Sequence, residues 1–123
     1  MTTTVYGIAN CDTVKRARSW LAEHEVVFVF HDFKKAGVPP ARLEAWLAAA
    51  GWERLLNRKG TAWRKLAEPL RQGAVDAASA HALMLAHASV IKRPVVEWDA
   101  RDITVGFDPA SWASHRAALA AAW

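Results

Sequence analysis

The stretch of sequence that decides the fold is TVYGIANCDTVKRAR, which runs from Thr4 to Arg18. Its first five residues are mostly β-branched or aromatic and predict a short strand that ends at Ile8. Asn, Asp and Thr surround Cys11, and these residue types favour the start of a helix. From Val14 onward, apolar residues recur with helical spacing and basic residues fall between them. The sequence therefore predicts a strand that turns directly into a helix, with Cys11 at the junction.

The rest of the chain continues this α/β pattern. The predicted strands are Val26–Phe30, Val95–Trp98 and Ile103–Phe107, and the predicted helices run from Pro40 to Gly51, over Ala62–Leu70 and Val75–His87, and from Pro109 to about Ala121. A parallel β-α-β half and a β-β-α half can share one four-stranded mixed sheet. The predicted architecture is a thioredoxin-like α/β fold. It is expected to form a single domain over residues 1–123, with an inserted helical subdomain over about residues 34–92.

The composition narrows the class of protein. The chain has 123 residues, a formal net charge of +4 and a hydrophobic fraction of 53 %, which suits one globular domain. No apolar run approaches the roughly 20 residues that a membrane span needs. The N-terminal residues also lack the basic and long apolar regions of a signal peptide. We therefore expect a cytoplasmic protein with no membrane partner.

The use of cysteine and histidine restricts the chemistry. Cys11 is the only cysteine, so any oxidised state of Cys11 needs a resolving thiol from outside the chain. The five histidines are scattered, so we expect no bound metal and no resident cofactor. The basic charge admits nucleic acid or acidic partners. Because no helix-turn-helix pattern and no interleaving of aromatic and basic residues is present, nucleic acid is not an expected partner.

Cys11 is the candidate nucleophile because of its position at the start of a helix. The first N–H groups of a helix lack internal partners and carry the positive end of the helix dipole. A thiolate there is stabilised, and the pKa of such thiols falls from about 8.5 to between roughly 3.5 and 7.5. Lys15 opposes the helix dipole, and a thiolate at Cys11 would offset that cost. The alternative is that Cys11 is a small apolar residue with no chemical role.

Two basic segments are candidates for binding anions. Asn57–Thr61 reads NRKGT and places two cations beside a glycine, whereas Ile91–Pro94 reads IKRP and places two cations before a proline. The planar guanidinium group of arginine suits carboxylates and oxyanions. Taken alone, each segment fits an ordinary solvated loop better. The sequence leaves the isomer of the peptide bond before Pro94 open.

Three segments together resemble the arsenate reductase (ArsC)/Spx family, and most closely its YffB-like branch. In the order of the family they are YGIANCDTVKRAR over residues 6–18, GWERLLNRKGTAWR over residues 51–64, and IKRPV over residues 91–95. The resemblance extends over nearly the whole chain. It implies a thioredoxin fold with a helical insert and a nucleophilic cysteine at Cys11. It also implies that Arg58 and Arg93 hold an oxyanion or the carboxylates of glutathione, with Pro94 beside them.

The chain departs from the pattern of the arsenate reductases at two places. Those enzymes typically carry a serine and then an arginine at the third and fourth positions after the cysteine, where this chain has Val14 and Lys15. They also carry a third arginine after the last strands, where this chain reads GFDP over Gly106–Pro109. The loss of one oxyanion contact and the added aspartate argue against arsenate as the substrate. Spx-type regulators often use a Cys-x-x-Cys switch, which Val14 makes impossible.

The leading hypothesis is a glutathione-dependent thiol oxidoreductase of the arsenate reductase-like class. Its expected catalytic residues are Cys11, Arg58 and Arg93, and its expected substrate-binding residues are Asn10, Thr13, Lys15, Lys92 and Pro94. Glutathione is the expected co-substrate, and glutathione or glutaredoxin is the expected partner. The alternative is a non-enzymatic, Spx-like regulatory protein that binds RNA polymerase or another protein. The physiological substrate, the redox partner and the oligomeric state stay open.

Overall fold

The computed structural model describes residues 2–99 and 101–122, and the side chains as far as Arg116; Met1, Ala100 and Trp123 lie outside this description. The elements in chain order are β1 (Thr3–Gly7), α1 (Asp12–Glu23), β2 (Phe28–Asp32), α2 (Phe33–Ala36), α3 (Pro40–Ala50), α4 (Trp52–Leu55), α5 (Thr61–Lys65), α6 (Glu68–Gln72), α7 (Ala77–Ala86), a 3₁₀ turn (Ala88–Val90), β3 (Val95–Glu97), β4 (Ile103–Val105) and α8 (Pro109–Ala122). The chain divides into two compact units. The first contains the described residues up to Asp32 and from Arg93 onward, and the second is Phe33–Lys92. The expected single-domain organisation stays a prediction.

The first unit contains a four-stranded mixed sheet in the order β2-β1-β3-β4. β1 runs parallel to β2 and antiparallel to β3, and β3 pairs antiparallel with β4. The parallel pair requires a crossover, which α1 supplies between the two strands. The predicted α/β class, with a four-stranded mixed sheet of thioredoxin-like order, is confirmed.

One face of this sheet packs against α1 and α8. The buried residues of that core come from β1, α1, β3, the position just after β3, and α8. They are Val5, Ala17, Leu21, Val96, Trp98 and Trp112. The ring of Trp112 meets Trp98 and Phe107 edge-on, with centroid separations of 5.0 and 4.8 Å. Edge-on aromatic pairs add about 0.5–1.5 kcal/mol each to the effect of burial. This core fixes α1, and with it the position of Cys11, on the sheet.

The second unit is helical. The side chains of Leu43 and Trp46 on α3 are fully buried, and α3 packs against α7. Asp76 begins α7 with a capping box, in which its carboxylate accepts the backbone N–H of Ser79 at 2.9 Å. Leu56 forms an antiparallel bridge with Ile91, which ties the segment before the NRKGT turn to the segment before Arg93.

Several predicted elements have different bounds in the structure, and two of these differences have a clear physical cause. The strand predicted at Val26–Phe30 is Phe28–Asp32, because the N–H of Val26 is used to close α1 through a bond to the carbonyl of Leu21. The helix predicted over Ala62–Leu70 is two short helices, α5 and α6. Pro69 lies in the first turn of α6, where a missing N–H costs nothing, whereas in the interior of one long helix it would break the bonding.

Among the described residues, the structure contains no helix whose length and apolar character would let it cross a bilayer.

Candidate active site

Cys11 lies between β1 and α1, directly before the first residue of the helix. Its backbone is extended, with φ −87° and ψ 125°, and it is the N-cap of α1. Its N–H donates to the carbonyl of Ile8 at 3.1 Å, and its own carbonyl accepts the N–H of Lys15 at 2.9 Å as the first bond of the helix. The thiol is half-buried. The structure therefore places the only cysteine of the chain at a helix N-terminus, as the sequence predicts.

The surroundings of Cys11 favour its thiolate form. Partial burial is the largest influence and raises the pKa of the Cys11 thiol. It is outweighed by the backbone N–H of Val14, by a hydrogen bond and the positive charge from the Arg93 guanidinium, and by the backbone N–H of Thr13. The net result is a pKa for Cys11 below its ordinary value. A thiolate held in this way is a nucleophile that needs no separate general base.

The register of the sheet explains why Arg93 reaches Cys11. β3 runs antiparallel to β1, and its first residue, Val95, lies opposite Tyr6 near the end of β1. The residues just before β3 therefore lie at the end of the sheet from which the chain enters α1. Pro94 is buried, the Arg93–Pro94 peptide bond is cis, and the Pro94 carbonyl accepts the N–H of Gly106 at 2.9 Å.

Three other predicted residues of the first unit lie close to Cys11 in the sequence, and their substrate-binding roles stay predictions. Thr13 acts on Cys11 through its backbone N–H, and its side chain is half-buried. Asn10 and Lys15 are exposed to solvent. Lys15 is linked to Cys11 by the hydrogen bond that its backbone N–H donates to the Cys11 carbonyl.

Arg58 and Lys92 belong to the second unit. The guanidinium of Arg58 is exposed, lies 3.8 Å from a carboxylate oxygen of Glu53 and covers the ring of Trp52 at 5.3 Å from its centroid. The side chain of Lys92 is exposed, and its N–H donates to the carbonyl of Leu55 at 2.8 Å. The structure thus brings Arg93 to Cys11, whereas these contacts of Arg58 and Lys92 lie within their own unit.

The sequence reasoning missed the backbone N–H of Val14 as a contributor to this site, because it considered only the side chain of that residue. The signal was available, since the N–H groups two and three residues after an N-cap are the ones aimed at the capping side chain. Within residues 2–99 and 101–122, no group of three or more His, Cys, Asp or Glu side chains is arranged to hold a metal ion.

Most of this chain is similar to known proteins. The model of the ArsC family matches residues 6–115. Among solved structures, a YffB protein is 46 % identical, with 93 % of this chain and 98 % of that chain covered and a TM-score of 0.87. An arsenate reductase (ArsC) related protein from Brucella melitensis is 50 % identical, with 93 % of each chain covered and a TM-score of 0.72. An uncharacterized protein of Haemophilus influenzae is 36 % identical over 105 residues, which cover 85 % of this chain and 90 % of the relative.

Proposed function

The chain belongs to the ArsC family, and we propose that it is a thiol oxidoreductase in which the Cys11 thiolate is the nucleophile and glutathione the co-substrate. The observation that carries the proposal is the position of the Arg93 guanidinium against the Cys11 sulfur, at the N-terminus of α1. A neighbouring cation and the N–H groups at a helix start both stabilise a reactive thiolate. A cysteine serving only as a small apolar residue would need neither.

The proposed reaction is a pair of thiol–disulfide exchanges followed by regeneration. The Cys11 thiolate attacks one sulfur of a disulfide substrate R–S–S–R′, forms the mixed disulfide Cys11–S–S–R and releases R′–S⁻, which takes a proton from water. A glutathione thiolate then attacks the Cys11 sulfur and releases R–S⁻. A second glutathione thiolate attacks the glutathione sulfur of Cys11–S–S–glutathione and restores the Cys11 thiolate. Two glutathiones are oxidised to one disulfide, and the substrate gains two electrons.

Arg93 has two roles in this scheme. Before the reaction, it stabilises the negative charge of the Cys11 thiolate. Once the sulfur is in a mixed disulfide that charge is gone, and the guanidinium then binds a glutathione carboxylate or the departing thiolate. Arg58, Lys92, Lys15 and Asn10 are proposed as further contacts of glutathione or substrate. Their support is the family motif, and for the two exposed lysines and the exposed arginine also their positive charge.

An oxidised sulfur is the substrate class that fits this chain better than an oxyanion. The arsenate reductases have a third arginine where this chain carries Gly106–Pro109, and that segment contains the exposed acidic residue Asp108. In the structure, Gly106 has a φ of 88° and donates its N–H to Pro94, so the segment closes β4 and supplies no cation. A disulfide needs no oxyanion site.

The test is glutathione oxidation in the presence of a small mixed disulfide, followed through glutathione reductase and NADPH. We expect turnover by the wild-type chain and none above the uncatalysed rate for Cys11→Ser. Arg58→Gln is expected to raise the KM for glutathione several-fold, and Arg54→Gln, which removes an exposed cation of α4, serves as the matched control. Equal rates for the wild type and Cys11→Ser would contradict the proposal. Copurification of RNA polymerase with both forms would then favour the regulatory alternative.

A further inference from the structure

The side chain of Val14 occupies the space beside Gly7, at the end of β1. A β-carbon at residue 7 would lie 2.8 Å from Cγ2 and 3.3 Å from Cγ1 of Val14, and a non-bonded contact of a β-carbon at 2.8 Å essentially never occurs in proteins. The backbone of Gly7 is not among the positive-φ glycines, which are Gly37, Gly51 and Gly106. Glycine is therefore required at residue 7 by space and not by an unusual backbone conformation.

The partner in this contact cannot move aside. The side chain of Val14 is fully buried and lies in the first turn of α1, three residues after the N-cap Cys11. A β-branched side chain in a helix has one strongly preferred χ1 rotamer, so its two methyl groups stay where the helix backbone puts them. A β-carbon at residue 7 would consequently push the first turn of α1 away from β1.

The same first turn carries the groups that act on the Cys11 sulfur. The N–H of Val14 is the strongest of the influences that lower the pKa of Cys11, ahead of Arg93 and the N–H of Thr13. On the other side, β1 leads into the turn in which the N–H of Cys11 is bonded to the Ile8 carbonyl. Cys11 is hydrogen-bonded to Ile8 and Val14 packs against Gly7, so the end of β1 holds both ends of the turn that carries the sulfur and the Val14 N–H.

We propose that the contact between Gly7 and Val14 is a positioning device, which holds the Val14 N–H at the Cys11 sulfur. The buried side chain of Val14 holds the start of α1 against β1. The absence of a β-carbon at Gly7 leaves the space that this side chain occupies. Neither residue touches the substrate in the proposed reaction. The catalytic meaning of the contact rests on the proposed thiol chemistry, but the contact itself acts on the free protein.

The test is a double-mutant cycle on the pKa of Cys11, measured from the ultraviolet absorbance of the thiolate, with Gly7→Ala, Val14→Ala and both together. We expect Gly7→Ala to raise the pKa most, and Val14→Ala to raise it less because only the packing of the Val14 side chain is lost. In the Val14→Ala background, Gly7→Ala is expected to add no further rise, since its β-carbon then meets only the Cβ of residue 14, at 3.7 Å.

Leu43→Ala is the control for a general loss of packing, because Leu43 is an equally buried aliphatic residue on α3 in the second unit, outside the core that holds α1 on the sheet. It is expected to lower stability while leaving the pKa of Cys11 unchanged. An unchanged pKa in Val14→Ala, or an equal rise from Gly7→Ala in both backgrounds, would overturn the proposal. The Val14→Ala arm decides the matter even if Gly7→Ala does not fold. None of these measurements needs a substrate. They therefore test the positioning role even if the chain proves to have no enzymatic activity.

Discussion

The thiol of Cys11 sits between opposing influences on its pKa. Partial burial disfavours the thiolate, whereas two backbone N–H groups and the Arg93 guanidinium favour it and prevail. The favourable groups come from two parts of the fold. Thr13 and Val14 belong to α1, and Arg93 precedes β3. The reactivity of one atom therefore depends on the register between β1 and β3 and on the packing of α1.

This lowered pKa links the stability of the folded protein to pH. In the folded state the pKa of Cys11 lies below its value in the unfolded chain, about 8.5, so the folded state binds fewer protons between those two values. The contribution of Cys11 to the free energy of unfolding is fully present above about pH 8.5. It is lost as the pH falls through the folded-state pKa.

Cys11→Ser should remove this pH-dependent contribution. We expect the free energy of unfolding of the wild type, minus that of Cys11→Ser, to increase as the pH rises from below the folded-state pKa to about 8.5. The measurement is urea unfolding of both proteins under reducing conditions at several pH values. The other ionisable groups cancel in the difference. Parallel pH dependences of the two proteins would show that folding does not shift the pKa of Cys11.

At the scale of elements, α1 ends in an unusual way. The N–H of Val26 bonds to the carbonyl of Leu21 and the N–H of Glu25 to that of Ala22, which is the Schellman pattern of helix termination. The residue in the left-handed conformation of such a motif is usually glycine, but here Glu25 occupies it with a φ of 59°. This termination is why β2 begins at Phe28, two residues later than its apolar run.

Replacing Glu25 by glycine should stabilise the protein. The left-handed conformation costs a non-glycine residue about 1–2 kcal/mol in the folded state. Glycine also has more conformational freedom in the unfolded chain, which reduces the gain in stability by about 0.5–1 kcal/mol. We expect Glu25→Gly to raise the free energy of unfolding by about 0.5–1 kcal/mol, as measured in urea. Glu23→Gly is the matched control in the last turn of α1 and should lower it by about 0.5–1 kcal/mol. A loss of stability in Glu25→Gly would contradict this account of the helix end.

Elements with local signals could be predicted from the sequence. Pro40 and Gly51 bracket α3 as expected, and the Asp108-Pro109 pair opens α8. The start of β2 could not be predicted, because the Schellman bond of Val26 competes with strand pairing and leaves no mark in the run of apolar residues. The single helix expected across Pro69 was wrong for a local reason that the proline itself signals.

At the scale of the whole molecule, the four-stranded mixed sheet followed from the order of the elements, because a parallel β-α-β half and a hairpin half can share one sheet. Contacts between distant segments were harder to predict. Arg93 reaches Cys11 through the pairing of Val95 with Tyr6, and the family resemblance named Arg93 while the local sequence allowed a solvated loop. The contact of Gly7 with Val14 could not be predicted from the sequence, because the sequence shows a glycine but not which side chain occupies the space beside it.

The central claim is that this fold prepares Cys11 as a thiolate with the help of Arg93. The most direct measurement is the pKa of Cys11 in the wild type, in Arg93→Gln and in Arg101→Gln, which removes an exposed arginine between β3 and β4. We predict a wild-type value below the roughly 8.5 of a free thiol, a clear rise in Arg93→Gln and no change in Arg101→Gln. A wild-type pKa at or above the free-thiol value, or equal values in all three proteins, would contradict the claim.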